Sequence, residues 1–240
     1  MQPGTNCDSA RRRLVLPLIV VFSKAPRPGF VKTRLGLEPT TAASLYADFV
    51  SRTLKIVCDL RGEAELELSM DTPCEAWSEF PIARTIQNDG DLGVKLYAAL
   101  ERGLLAGHPK VLILGSDSPT LPAGHIRWLL ESTVDVALGP TLDGGYYGIA
   151  CRKVQQKMFD GVRWSTGDAL GDTVYAVERC GLSHALGPEW FDIDTPEDLI
   201  AYHGGLNCLP AILKFVAERL NSPFAGANLD LVRCKDSTSN

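Results

Sequence analysis

Two short runs of this chain, Leu18-Ile19-Val20-Val21-Phe22 and Val111-Leu112-Ile113-Leu114, carry no polar side chain at all. A strand covered on one face alternates apolar with polar residues, so an unbroken apolar run reads as a strand covered on both. Both are too short to cross a bilayer, and nowhere does the chain reach the ~20 apolar residues of a membrane span. They are therefore expected to be inner strands of a mostly parallel sheet with helices on each face. The intervening segments supply those helices. Thr40–Val57 has helical spacing, with Leu45, Phe49 and Ile56 on one stripe and Thr40 or Thr41 placed to cap it. Leu92–Leu105, Pro122–Leu130, Asp168–Arg179 and Pro196–Tyr202 follow, the last capped by Thr195, and an amphipathic helix is expected over Leu209–Leu220. Glu65–Met70 alternates as a strand should, and Val134–Leu138 and Tyr146–Ala150 flank a turn at Asp143-Gly144-Gly145. Strands alternating with helices define the α/β class.

No repeat, low-complexity tract or long linker interrupts this pattern. We expect a loose leader over 1–13, one domain over 14–206, a helical extension over 207–234 packed on that domain, and a tail over 235–240. The formal net charge of −5 argues against a nucleic-acid polymer or a membrane surface as partner. It is unevenly spread: residues 1–34 hold seven of the 24 basic side chains and one of the 29 acidic ones. Arg11–Arg13 followed by an apolar run imitates a secretion signal, but a cut after Ala25 would leave Pro26 on its far side, which blocks cleavage. The seven cysteines form no C-x-x-C pair and no cluster with the four histidines. An odd, widely spaced set speaks against zinc and against a disulfide framework, and for a reduced, cytoplasmic protein.

In parallel α/β sheets ligands bind beyond the carboxyl ends of the strands, so chemistry is sought just after each strand. After the first apolar run comes Ser23-Lys24-Ala25-Pro26-Arg27-Pro28-Gly29-Phe30-Val31-Lys32-Thr33-Arg34, a stiff loop expected to be neither helix nor strand. Its Lys24, Lys32 and Arg34 can converge on a polyphosphate, arginine as a fork and lysine as a point charge. It has the spacing of neither a Walker loop nor G-x-G-x-x-G. After the second run comes Gly115-Ser116-Asp117-Ser118-Pro119, which sets a carboxylate at the sheet's functional edge, where a hard cation takes oxygen ligands and leaves the rest of its shell to phosphate. Further along, Asp192 and Asp194 alternate and so share one face of an extended segment; Asp194, with Asp192 as substitute, is the choice for a second metal ligand beside Asp117. Asp143-Gly144-Gly145-Tyr146-Tyr147 permits close backbone approach to a ligand, although a plain hairpin would also explain its glycines. Gln87 and Gly90 stand before a helix where amide and backbone contacts can hold a base or ribose, and Trp164-Ser165-Thr166 offers a ring and two hydroxyls.

In order, the motifs F-S-K-A-P-x-P-G-x-V-K-T-R-L, Q-x-x-G-D-L-G, G-S-D-S-P-x-L-P, G-P-x-x-D-G-G-Y-Y, W-S-T and D-I-D-T-P-E-D-L resemble the GT-A-like nucleotide-diphospho-sugar transferase family, some members of which are described as arsenosugar-biosynthesis-associated glycosyltransferases. The resemblance runs from about Leu16 to Leu199. K-T-R-L and D-T-P-E-D-L also look like 2-phospholactate and molybdenum-cofactor guanylyltransferases. The resemblance implies a Rossmann-like three-layer sandwich with Mg²⁺ or Mn²⁺ bridging the phosphates of a nucleotide donor. It implies Asp117 and Asp194 as metal ligands and Lys24, Lys32, Arg34, Gln87 and Gly90 as nucleotide or phosphate contacts. Gly144, Gly145, Tyr146, Trp164, Ser165 and Thr166 would form the acceptor pocket, with Asp117, Lys32 and Asp143 in catalytic positions. The sequence departs from the pattern twice. Asp117 is followed by Ser118-Pro119, so the D-x-D of many metal-dependent glycosyltransferases is absent. The loop after the first strand also lacks the L-x-A-G-G-x-S-x-R-M-G run of typical nucleotidylyltransferases. The expected activity is glycosyl transfer from a nucleoside-diphosphate sugar to a small acceptor. The alternative is nucleotidyl transfer from a triphosphate to a small phosphorylated substrate with pyrophosphate release.

Overall fold

In the computed structural model, which describes residues 15–202, both apolar runs are inner strands of a single seven-stranded sheet. Strands β1 (Leu18–Ser23), β2 (Glu65–Met70), β3 (Ala83–Ile86), β4 (Val111–Leu114), β5 (Val136–Pro140), β6 (Tyr146–Cys151) and β7 (His184–Leu186) lie in the order β3-β2-β1-β4-β6-β5-β7. β6 runs antiparallel to β4 and β5, and the remaining pairings are parallel. The helices are α1 (Pro39–Cys58), α2 (Leu92–Leu105), α3 (Ala123–Glu131), α4 (Ala169–Arg179) and α5 (Pro196–Tyr202).

Alternate side chains of the apolar strands feed two separate cores. Ile19, Val21, Leu112 and Leu114 pack with Tyr46, Val50 and Leu54 of α1 and Ile126 and Leu129 of α3. Leu18, Val20, Val111 and Ile113 pack on the opposite face with Leu96 and Leu100 of α2 and Val177 of α4. Ile19, Val20, Val21, Leu112 and Leu114 have no exposed surface, and each such side chain contributes roughly 1.5–3 kcal/mol. The three-layer α/β sandwich is thus as expected. A third, smaller core of Leu35, Leu45, Phe49, Ile193 and Leu199 pins the loop after β1 and the start of α5 onto α1.

The structure corrects several boundaries. α1 begins at Pro39, with Glu38 in the capping position and no side-chain cap bond, so neither Thr40 nor Thr41 caps it. Proline suits a first helical turn, where its missing N–H is not needed. The loop after β1, expected to hold no helix, contains a 3-10 turn at Thr33–Leu35. β5 starts and ends two residues later than the spacing indicates, and β3 and β7 carry no pattern that announces them. Thr195 does cap α5: its hydroxyl accepts from the Asp198 N–H at 3.2 Å while Asp198 Oδ2 accepts from the Thr195 N–H at 2.8 Å, a reciprocal capping box. The leader over 1–13, the extension over 207–234 with its helix at Leu209–Leu220, and the tail over 235–240 lie outside the described residues. Among the described residues no helix is long and apolar enough to cross a membrane, and Cys58, Cys74, Cys151 and Cys180 are free thiols.

From β1 the chain moves outward to β2 and β3, then returns across the sheet through α2 to β4 on the other side. The carboxyl ends of β1 and β4 are therefore where the connections diverge, the place at which open α/β sheets leave a crevice.

Candidate active site

The crevice at that divergence encloses about 530 Å³. Its lining comes from distant stretches: Ser23 at the end of β1 with Lys24, Lys32 and Arg34 after it; Tyr46 of α1; Gln87 and Leu92 before and in α2; Gly115, Ser116 and Asp117 after β4; Tyr146 and Tyr147 of β6; Ser165; and Asp192 and Asp194 before α5. Of the residues singled out in the sequence, Lys24, Lys32, Arg34, Gln87, Asp117, Tyr146, Ser165, Asp192 and Asp194 share this one space.

Lys32 occupies its centre. Its backbone is left-handed, φ 48°, and its side chain, 4% exposed, turns inward rather than toward solvent. The ammonium lies 2.6 Å from Asp117 Oδ1 and 2.7 Å from Asp194 Oδ1, and donates to the Ile193 carbonyl at 2.7 Å. The Phe49 ring lies beneath it at 5.4 Å. Burial alone would depress the lysine's pKa, but the charges of Asp117 and Asp194 outweigh it and hold the group well above its ordinary value. The backbone joins the two acidic loops too, since the Ile193 N–H donates to the Asp117 carbonyl at 3.0 Å. Asp192 sits beside them. Burial and the neighbouring Asp117 charge push its carboxyl up to about 7, although the Ser118 hydroxyl hydrogen-bonds to it.

Tyr46 of α1 is a member of the site that sequence spacing does not reveal. Its hydroxyl accepts the Lys24 N–H at 2.8 Å and shares a hydrogen bond with Ser116 Oγ at 2.9 Å, so it ties the loop after β1 to the loop after β4. Burial, then the Asp117 charge, pushes it up to about 12, and it stays a neutral hydroxyl. It sits next to Leu45 on the packed face of α1, where the pattern reads it as core. Asp71, just past β2, adds a second brace: its Oδ1 accepts the Ala25 N–H at 2.6 Å.

The remaining sequence candidates frame the crevice. Lys24 and Arg34 are exposed, and among the described residues neither has an acidic group within ion-pair distance. Gln87 spends its amide N–H groups on the carbonyls of Ser23 at 3.1 Å and Ser69 at 3.0 Å, which locks the ends of β1 and β2 together. Gly90, φ 124°, forms the turn before α2 outside the lining. Asp143 Oδ1 accepts from the Thr141 hydroxyl at 2.5 Å and the Gly145 N–H at 3.1 Å, closing the β5–β6 turn. Gly144, φ 84°, presses on the next loop so closely that a Cβ there would stand 2.0 Å from the Gly167 carbonyl oxygen. Trp164 packs edge-on against Tyr146, ring centroids 6.5 Å apart, and the Thr166 hydroxyl donates to Arg163 O at 2.7 Å. Asp143, Gly144, Gly145, Trp164 and Thr166 thus stand behind Tyr146 and Ser165 rather than in the crevice lining.

The donor set suits a hard divalent cation. Asp117 and Asp194 are each 43% exposed and converge on the Lys32 ammonium, while Asp192 lies behind them on the Ser118 hydroxyl. Among the described residues no three acidic, histidine or cysteine side chains form a ligand cage. Asp117 and Asp194 are the two carboxylates that could hold such an ion, with phosphate and water left to complete its shell, as Mg²⁺ commonly has it. Ser23 Oγ, buried at the end of β1 in the same crevice, has no hydrogen-bond partner among the described residues.

Comparison with known proteins agrees with this architecture. The family model described as "Uncharacterized protein conserved in bacteria (DUF2064)" matches residues 48–166. A crystal structure from Desulfovibrio desulfuricans G20, provisionally described as a nucleotide-diphospho-sugar transferase, is 31% identical, with 84% of this chain and 95% of that one covered at a TM-score of 0.73. At the level of fold alone, CMP:2-keto-3-deoxy-manno-octonic acid synthetase complexed with CTP is similar at 14% identity and a TM-score of 0.53, over 79% of this chain and 97% of that one. A Methanothermobacter nucleotidyl transferase is similar at 16% identity and 0.51, over 83% and 99%. No curated protein matches. With nearly the whole of the Desulfovibrio protein covered at that identity, and the sheet and crevice described above, this chain belongs to the DUF2064 family of GT-A-like, nucleotide-diphospho-sugar transferase-type proteins.

Proposed function

We propose that the protein is a metal-dependent transferase that takes a nucleoside-diphosphate sugar and delivers the sugar to a small acceptor. One observation carries this reading: Lys24, Lys32 and Arg34 meet Asp117 and Asp194 in one crevice at the switch point of the sheet. Lys24 and Arg34, without acidic partners among the described residues, bind and orient the donor's phosphates. Asp117 and Asp194 would hold Mg²⁺ or Mn²⁺, which when bound neutralises charge gathering on the departing diphosphate. Gln87 and Gly90, at the crevice edge and beside it, shape the nucleoside end. Tyr146 and Ser165 form the acceptor wall, with Gly144, Gly145, Trp164 and Thr166 setting its position. Asp143 belongs to this wall only through the turn it closes, which stands behind Tyr146 and outside the crevice lining.

Nucleotidyl transfer is the second reading. It is favoured by the missing D-x-D and by three cations on one loop, enough for a triphosphate. Product analysis separates the two: free nucleoside diphosphate from a nucleotide sugar supports the first, and pyrophosphate from a triphosphate the second. A first screen is thermal melting of the full chain with nucleotides and nucleotide sugars, with and without Mg²⁺ or Mn²⁺. A ligand at a hundred times its Kd adds about 2.7 kcal/mol of apparent stability. Asp117→Asn is expected to remove the metal-dependent part of that gain and to lower turnover by roughly 100-fold or more. Metal-dependent binding and turnover that survive this substitution would refute the assignment, and binding without turnover of any donor would make the protein a nucleotide-binding module.

A further inference from the structure

Lys32 and a divalent cation compete for one place. The ammonium sits between Asp117 Oδ1 and Asp194 Oδ1 at 2.6 and 2.7 Å. Metal–oxygen distances for Mg²⁺ or Ca²⁺ are about 2.0–2.6 Å, so an ion shared by the same two carboxylates would need nearly the same point in space. The Lys32 ammonium stands at that point.

We propose that the protein takes its donor as a metal–polyphosphate complex, in which the cation replaces the Lys32 ammonium between Asp117 and Asp194 and the arriving phosphates accept that ammonium. This rests on the reading of the crevice as a metal–nucleotide site and adds the form in which the ligand is bound.

Charge balance disfavours binding either partner alone. A cation arriving alone evicts an ammonium that is 4% exposed and leaves it unpaired beside a dication, and an uncompensated buried charge costs several kcal/mol. A polyphosphate arriving alone meets the carboxylates of Asp117 and Asp194 while Lys32 is already committed, with Lys24 and Arg34 as its cations. Together, cation and phosphates leave each of these charges with a partner. The loop is built for the exchange. Lys32 holds a left-handed backbone that disfavours any residue with a Cβ, at a cost of order 1–3 kcal/mol, while its ammonium is paired with both aspartates. Gly29 at φ 80° and Gly36 at φ 67° flank it as pivots. The Phe49 ring beneath the ammonium offers no alternative anion.

The test is thermal melting of the full chain with Mn²⁺ alone, tripolyphosphate alone, and both, with free Mn²⁺ matched across samples, followed by Mn²⁺ titration calorimetry without phosphate. In the wild type the shift with both ligands should exceed the sum of the separate shifts. In Lys32→Met, Mn²⁺ alone should bind about tenfold or more tighter than to the wild type, and the excess should vanish. Lys32→Met sets unscreened carboxylates face to face, so its fold is checked by circular dichroism; the wild-type excess is a test that needs no variant. Additive shifts in the wild type, or equal Mn²⁺ affinity in the two proteins, overturn the proposal and leave the metal–nucleotide reading standing. No shift in either protein under any combination overturns that reading as well.

Discussion

Asp192 is the side chain whose charge the crevice opposes most directly. Burial and the Asp117 charge raise its carboxyl to about 7, so the folded protein binds a proton here that the unfolded chain, near 3.9, has already released. Stability from this group is therefore complete below about pH 4 and is lost as pH rises toward 7. Asp192→Asn keeps the size and the Ser118 partner but cannot ionise. It should match the wild type near pH 4 and be roughly 1–3 kcal/mol more stable at pH 8, as read by urea unfolding at the two pH values. The same difference at both would show that Asp192 ionises freely. At this scale the sequence displayed residue types and order, but not commitments. It pointed to Lys32, Asp117 and Asp194, since each lies in a loop or extended segment that no helix or strand periodicity explains. It could not show that Lys32 is spent on two aspartates 85 and 162 positions away, or that the Tyr46 hydroxyl braces the crevice, because Tyr46 lies on a helix face that packing alone would justify.

The β5–β6 hairpin shows how one segment can be read for two jobs. Asp143-Gly144-Gly145 closes its turn, and Gly144 also seats the loop that carries Ser165. An alanine at Gly144 has to adopt φ 84° and place its Cβ 2.0 Å from a backbone oxygen that cannot rotate away. Gly144→Ala should cost roughly 2–4 kcal/mol from strain and overpacking together. At Gly145 the nearest atoms are the Thr141 hydroxyl at 3.0 Å and Asp143 Oδ1 at 3.3 Å, both on side chains that can shift. Gly145→Ala should therefore lower the melting temperature by less than half as much; equal losses would mean that Gly167 yields and the two loops are not locked. The elements legible in the sequence were those with a strong period or none, β1, β2, β4, β6 and helices α1 to α5, with β5 read two residues early. β3 and β7 were not, because four residues of mixed polarity and three residues become strands only when a neighbouring backbone supplies their partners. Nor does anything in the hairpin's residues say that β6, rather than β5, docks against β4.

At the scale of the molecule, function depends on segments that meet only because the sheet reverses its order between β1 and β4. Residues 24–35, 115–118 and 192–194 are far apart in the chain, yet Tyr46 bonds the first to the second and Lys32 bonds the first to both others. A metal–polyphosphate ligand seated among them should slow hydrogen exchange in all three together, because opening any one exposes the ligand's partners in the rest. The edge strand β7, Leu186 of which is 48% exposed, and the separate hollow of about 380 Å³ beside Cys74 and Arg84 lie away from that space and should exchange unchanged. Mass-spectrometric exchange of the full chain with and without Mg²⁺ and tripolyphosphate distinguishes the cases. Protection confined to residues 24–35 would reduce the site to a basic anion patch, because phosphates held by Lys24 and Arg34 alone have no reason to order Asp117 or Asp194. Protection of 115–118 and 192–194 without 24–35 would leave a cation bound between two aspartates and no role for the phosphate loop. Concerted protection is the signature of a ligand that carries both charges, and it can arise only where the chain brings its one basic loop and its two acidic segments to the same edge of the sheet.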